Sequence, residues 1–288
     1  MFFFPSTSLA PTVIALSTFF LEHFPNIDWY PYWYLGNPYY YLIGPVVPVI
    51  LGAVRVVGAI GVEEAYLLLL IGSIFLGAVG LCLLLSSFGI RRSNAFIVSF
   101  LYLMAPGWLI LLSFQDGLHY IAFGFFPSLL LLYKRFLLSK ATPWSLVSLS
   151  LFLAFLLLIT VSILLPFLIA VIALIITYSK KEQLGSALIQ TTFSMLLALS
   201  LATLWYTPGF WLTLLTNPSF GGVPLYQLTW SLFRFAVQFL PLILAIIFVK
   251  WRGLKAKGPL MFGLLVFSSF LFLSVFLFLI FVRGEICF

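Results

Sequence analysis

Charge is what this chain has least of. Only 7% of its 288 residues are Asp, Glu, Lys or Arg, against about a quarter in soluble domains. So few charges cannot cover a water-facing surface. No hydrophilic run is long enough to make a soluble domain, and neither internal repeats nor low-complexity tracts occur. Cysteine is nearly missing as well: Cys82 lies inside an apolar run and Cys287 is the penultimate residue, so there is no CxxC pair and no evident disulfide partner. GxxxxGK[ST], GxGxxG, HExxH and GxSxG patterns do not occur either. Nucleotide hydrolysis, dinucleotide redox, zinc-protease and serine-hydrolase chemistry thereby lose their usual support. Without a Walker motif, any energy or activated group must arrive through the membrane or from a partner.

What is abundant is apolar surface, at 64% of the residues. It comes in runs of roughly twenty, the length that crosses a hydrocarbon core at about 1.5 Å per residue. Such runs fall at 6–22, 64–88, 94–113, 118–138, 144–160, 163–179, 185–206, 228–250 and 259–282. The fold class expected is all-α: a polytopic transmembrane bundle of about nine spans forming one domain over 1–288. The fifth and sixth runs divide near Thr160 and Ser162, where a kinked hairpin would change the count. No Lys or Arg precedes the first run and no small-residue cleavage site follows it, so it is expected to stay as an anchor.

A net charge of +7 can signal nucleic acid, but here the fourteen Lys and Arg form small clusters between apolar runs rather than a stripe. Nucleic acid is not an expected partner. The clusters at Arg91 and Arg92, at Lys134, Arg135 and Lys140, at Lys180 and Lys181, and from Lys250 to Lys257 recur after every second run. They mark those loops as cytoplasmic in a multi-pass protein of the cell membrane. Glu22, Asp28, Glu63, Glu64, Asp116 and Glu285 are then outside. Segment 45–60, lying between Asp28 and Glu63, cannot be a simple span on this topology. With Pro45, Pro48, Gly52, Arg55 and Gly58, it reads as a helix along the outer interface, within an outer loop of 22–62. A tenth span that inverts the N-terminus is the alternative.

Three places carry candidate chemistry. The stretch EHFPNIDWYPYWYLGNPYYYLIG, residues 22–44, crowds two acids, a histidine and eight Trp or Tyr into one loop. Most of its rings (Trp29, Tyr30, Tyr32, Trp33, Tyr34 and Tyr39 to Tyr41) read as an interfacial aromatic belt. Asp28 stands apart, because a carboxylate among rings at a membrane is costly unless paired or bound to a cation. In SFQDGLHY, Asp116 and His119 would share a helical face and can together bind a divalent ion or relay a proton. Equally, Asp116 can cap the next helix while His119 sits at the interface. Arg234 lies inside a run, about two turns from its outer end. Its planar fork suits a phosphate, with snorkelling to the headgroups as the competing account. Glu63 and Glu64 open the second span as favourable charges at a helix N-terminus.

A first span, an acidic outer loop and the run GNPYYYLIGPVVP together resemble the lipid-dependent glycosyltransferases of the C-type membrane fold. The DWYPYWYLGNP stretch (Asp28 to Pro38) and the later WYTPGFW (Trp205 to Trp211) resemble the archaeal membrane family labelled 6-pyruvoyl-tetrahydropterin synthase-related. That label does not imply pterin chemistry, since the histidine cluster of a zinc-dependent pterin enzyme is missing. The C-type resemblance covers roughly residues 1–250. It implies an outer juxtamembrane helix at 45–60, an essential acid at Asp28, a second outer acid at Asp116 and a basic residue near the donor phosphate at Arg234. It departs from that family in ending at RGEICF after the ninth run, without further spans or a soluble C-terminal domain. The implied activity is transfer of a sugar from a polyprenyl-phosphate donor to an acceptor on the outer face. Asp28 and Asp116 would be catalytic, Arg234, Trp29, Tyr32 and Trp33 would bind substrate, and Asp28, Asp116 and His119 would hold any divalent metal, Mg or Mn. Membrane lipid and the lipid-linked donor are the expected partners. A non-enzymatic transporter or scaffold subunit is the alternative.

Overall fold

The computed structural model describes residues 10–32, 36–105, 117–138, 142–178 and 184–216, together with the isolated positions Ile243 and Ile247. Apart from those two positions, the eighth and ninth expected spans lie outside the described residues. So do Trp33, Asp116 and Arg234.

The described chain is mostly helical. Helix α1 spans Ala10–His23, followed by a two-stranded hairpin, β1 Trp29–Tyr30 and β2 Asn37–Pro38, and a single helical turn, α2 Tyr39–Leu42. Then come α3 Val46–Gly58, α4 Val62–Ser87, α5 Arg92–Leu103, α6 Leu118–Leu138 and α7 Pro143–Leu157. A 3-10 turn, Val161–Ile163, leads into α8 Leu164–Tyr178, α9 Leu184–Ala202 and α10 Pro208–Thr216. Among the described residues, four stretches are long and apolar enough to cross a membrane: Val62–Ser87, Leu118–Leu137, Val161–Tyr178 and Leu184–Ala202. The expected fifth span is a helix of 15 residues, about 22 Å at 1.5 Å per residue and short of a hydrocarbon core of about 30 Å. It stops at the expected division, where Thr160 has extended backbone.

Local signals account for the helix ends. Thr142 accepts from the Ser145 amide while Ser145 Oγ accepts from the Thr142 amide, a capping box with Pro143 at the first helical position of α7. Glu63 and Glu64 lie in the first turn of α4, where acids oppose the helix dipole. Segment 45–60 does form a helix, α3, of 13 residues; it ends at Ala59, whose left-handed backbone (φ 49°) returns its N–H to Arg55 O.

The chain divides into two compact units, Met1–Leu165 with Ile189–Pro208, and Pro166–Leu188 with Gly209–Phe288. In the first, α4 packs lengthwise on α6 and also against α5, while α1 packs on α3 and α4. Small residues set the α4–α6 crossing: a Cβ on Gly77 would stand 2.3 Å from the Gly124 carbonyl oxygen, so only hydrogen at Gly77 allows the backbones to approach this closely. On its other side α4 exposes Leu68, Ile71, Phe75, Leu76, Val79 and Leu83, an apolar wall suited to lipid. Helix α10 begins at Pro208 within the WYTPGFW motif, and from Gly209 onward it belongs to the second unit.

Two polar contacts in the first unit depart from ordinary soluble packing. Pro127 lies inside α6 and has no N–H for the carbonyl of Phe123, four residues back; the Tyr102 hydroxyl of α5 donates to that oxygen at 3.3 Å. Lys134, expected as a topology signal, is 3% exposed. Its ammonium donates to the Ser87 carbonyl and, at 3.0 Å, to Ser87 Oγ, and lies 4.1 Å over the Phe88 ring. It thus neutralises the negative end of α4.

Candidate functional site

The loop after the first helix folds back on that helix. The His23 ring stacks on Phe19 (4.2 Å between centroids), with Nδ1 3.0 Å from the Phe19 carbonyl oxygen. Immediately beyond, Asn26 N donates to His23 O at 2.7 Å and Ile27 N to Pro25 O at 3.0 Å, turning the chain. The strands then pair antiparallel, Trp29 opposite Pro38 and Tyr30 opposite Asn37. Tyr39 N–H closes the hairpin neck by donating to Asp28 O at 3.2 Å. Successive side chains of a strand point to opposite sides, and accordingly Trp29 is 54% exposed while Tyr30 is 7% exposed.

Beneath the hairpin lies an aromatic core centred on Tyr39, which is wholly buried. Its hydroxyl donates to Leu16 O in α1 at 2.9 Å. Ring centroids of Phe19, Phe20, Tyr30 and Trp205 lie 5.9, 6.0, 6.5 and 6.5 Å from that of Tyr39, within the range of favourable ring pairs. Trp205, half-buried beyond the end of α9, donates Nε1–H to Ile43 O at 3.2 Å. The expected belt is therefore corrected at Tyr30 and Tyr39, which are core residues: both rings pack on Phe19 of α1, which supplies the apolar partner. Desolvation raises the phenol pKa values of Tyr30 and Tyr39, with the neighbouring Tyr32 and Tyr30, respectively, adding to it. Burial does the same for Tyr206. These hydroxyls are neutral hydrogen-bonding groups across the physiological range.

Asp28, Trp29 and Tyr32 are each exposed, and the Tyr32 ring stands edge-on to Phe19 of α1 (6.3 Å between centroids) and to Tyr30 (5.6 Å), on the α1 side of the hairpin. Asp28 is exposed rather than sunk among the rings as its neighbours in sequence suggest. Gly36 has φ +97°, and the Trp29 indole lies across it so closely that a Cβ there would come within 2.2 Å of Nε1. The hairpin thus holds one indole against Gly36.

His119 is half-buried in the first turn of α6. Asp116, its expected partner, is outside the described residues, and the Asp28–Asp116 pairing with it. Among the described residues no three His, Cys, Asp or Glu side chains assemble into a possible metal site; the described donors alone do not make a divalent-cation centre. The contacts of Tyr39 and Trp205 were not visible in the sequence, where the two appear only within separate aromatic motifs.

A family model described as 6-pyruvoyl-tetrahydropterin synthase related domain, membrane protein, matches residues 32–223. No curated protein and no solved structure matches the chain.

Proposed function

The chain belongs to the membrane-protein family described as 6-pyruvoyl-tetrahydropterin synthase related, and on that premise we propose that it is a glycosyltransferase using a polyprenyl-phosphate sugar at the outer face of the cell membrane. The observation that carries this reading is an exposed carboxylate, Asp28, next in sequence to an exposed ring, Trp29, with Tyr32 also exposed on the same hairpin. An aromatic face beside a hydrogen-bonding acid suits a sugar, whose apolar C–H face stacks on a ring while its hydroxyls bond to the carboxylate. A zinc-dependent pterin enzyme would need a histidine cluster, and the whole sequence holds two histidines, His23 and His119.

In the proposed reaction, Asp28 takes the proton from an acceptor hydroxyl as that oxygen attacks the anomeric carbon. The bond from that carbon to the phosphate oxygen breaks, and polyprenyl phosphate departs with the electron pair. Arg234 is the proposed holder of the phosphate. Asp116 is the proposed second acid, and His119 with the two acids the proposed ligand set for Mg or Mn; no step is routed through a metal. The spans beyond the four described, a C-type arrangement and an interfacial α3 belong to the same proposal.

The test is direct. Full-length protein in nanodiscs, given polyprenyl-phosphate hexoses with a membrane extract as acceptor source, should release polyprenyl phosphate. Asp28→Asn should abolish the release at unchanged thermal stability, because its carboxylate is exposed. Release by Asp28→Asn at the native rate would remove the acid from the mechanism. A non-enzymatic transporter or scaffold is the second reading; it predicts no release by any form.

A further inference from the structure

Between the exposed acid and the buried rings runs one continuous chain of contacts. The Asp28 backbone carbonyl accepts from Tyr39 N–H at 3.2 Å. From the same residue the phenol reaches the opposite way, donating to Leu16 O in α1 at 2.9 Å. Tyr39 is therefore bonded at both ends, to the hairpin neck through its backbone and to the first helix through its hydroxyl. The Trp205 ring stands edge-on to Tyr39, 6.5 Å between centroids, and its Nε1–H holds Ile43 O at 3.2 Å, just past the turn that carries Tyr39. Residues 162 positions apart thus close on one segment. A two-pair hairpin cannot fix its own orientation; Tyr30 and Tyr32 pack edge-on to Phe19 of α1 at 5.0 and 6.3 Å between centroids, and the linkage through Tyr39 adds the directed hydrogen bonds.

We propose that Tyr39, braced by Trp205, is the positioning residue of Asp28, locking the acid-bearing hairpin to the first helix in the orientation that transfer requires. The inference rests on the glycosyltransferase reading for its consequence, and on geometry alone for the lock. Neither residue touches substrate. Each acts through the backbone of the hairpin, so its loss should lower turnover while leaving donor affinity nearly unchanged.

The experiment uses the full chain in nanodiscs with Cys82 and Cys287 replaced by Ser. Nitroxides at Asp28→Cys and Glu64→Cys report the distance from hairpin to α4; the label leaves the Asp28 backbone carbonyl, and hence the Tyr39 bond, in place. Tyr39→Phe keeps the ring and removes the hydroxyl bond, and Trp205→Phe removes the indole donor. Both should broaden the 28–64 distance distribution, whereas Tyr40→Phe should not. In the unlabelled enzyme both should lower kcat by about tenfold, the factor equivalent to one hydrogen bond of about 1.4 kcal/mol, with KM for the polyprenyl-phosphate hexose within about twofold. An unchanged distance distribution in Tyr39→Phe and Trp205→Phe overturns the lock whether or not the chain transfers sugar. A broadened distribution with native kcat overturns the positioning role. Absence of turnover in the native chain, with the distribution broadened as expected, overturns the glycosyltransferase reading and leaves the lock standing.

Discussion

Tyr102 donates its hydroxyl to the Phe123 carbonyl at 3.3 Å, completing from a neighbouring helix the bond that Pro127 denies to α6. A bare carbonyl is expensive in an apolar surrounding, and in a membrane a neighbouring side chain is one of the few groups able to satisfy it. Tyr102→Phe should therefore cost about 1 kcal/mol of unfolding free energy. In a Pro127→Ala background the alanine N–H can take the Phe123 oxygen, and Tyr102→Phe should then cost far less. A double-mutant cycle by thermal unfolding in detergent measures the difference. Equal costs in both backgrounds would show that the hydroxyl does not answer the proline.

The α4–α6 crossing makes a sharper steric prediction. Gly77→Ala places a methyl 2.3 Å from the Gly124 carbonyl oxygen, a backbone atom that no rotamer change can move. A loss of about 1–3 kcal/mol is expected from such overpacking. Gly72 is on the same helix with nothing within 4 Å of its would-be Cβ, so Gly72→Ala should be neutral or gain up to about 1 kcal/mol from helix propensity. Parallel melting curves decide. Matching effects of the two substitutions would contradict the crossing.

Apolar runs place most described helices because length and hydropathy are local properties. The run at 118–138 coincides with α6, and those at 64–88 and 185–206 differ from α4 and α9 by a few residues at the ends. Runs alone cannot show which side chains face inward. Tyr39 and Tyr32 stand in the same aromatic stretch, yet one is wholly buried and the other 76% exposed, because a hairpin of two residues per strand is too short to leave a periodic signal. The contact between Trp205 Nε1 and Ile43 O was not legible, since the two residues lie 162 positions apart in sequence. Helix α10 also went unseen, its nine residues being fewer than any span requires.

Lys134 and Arg135 are adjacent in sequence and read alike as topology signals, but they differ in burial. Lys134 is 3% exposed with its ammonium bonded to Ser87 and placed over Phe88, whereas Arg135 is exposed. Lys134→Met should cost about 1–2 kcal/mol, from the lost helix-end charge and hydrogen bonds. Arg135→Met should leave stability unchanged. The comparison holds composition and site nearly constant, so similar melting temperatures for the two variants would refute the cap.

The exposed indole offers a test of the site that deletes no aromatic group. Trp29 lies against the turn at Gly36, and the +97° φ of that glycine is a backbone state side-chain-bearing residues rarely adopt. Gly36→Ala therefore acts twice: its methyl would fall within 2.2 Å of Trp29 Nε1, and its backbone would be strained. Both effects lift the indole from its place while leaving Trp29 present and Asp28 unaltered. If that ring is a platform for the donor sugar, Gly36→Ala should raise KM for a polyprenyl-phosphate hexose about as much as Trp29→Ala does. Losing one stacking face should cost roughly 1 kcal/mol, or about fivefold in KM. Combining the two substitutions should then add little, because the second acts on a ring already gone. Additive increases would mean that Gly36 matters to the hairpin independently of the indole, and an unchanged KM in Trp29→Ala would return the ring to the role of a membrane-interface anchor.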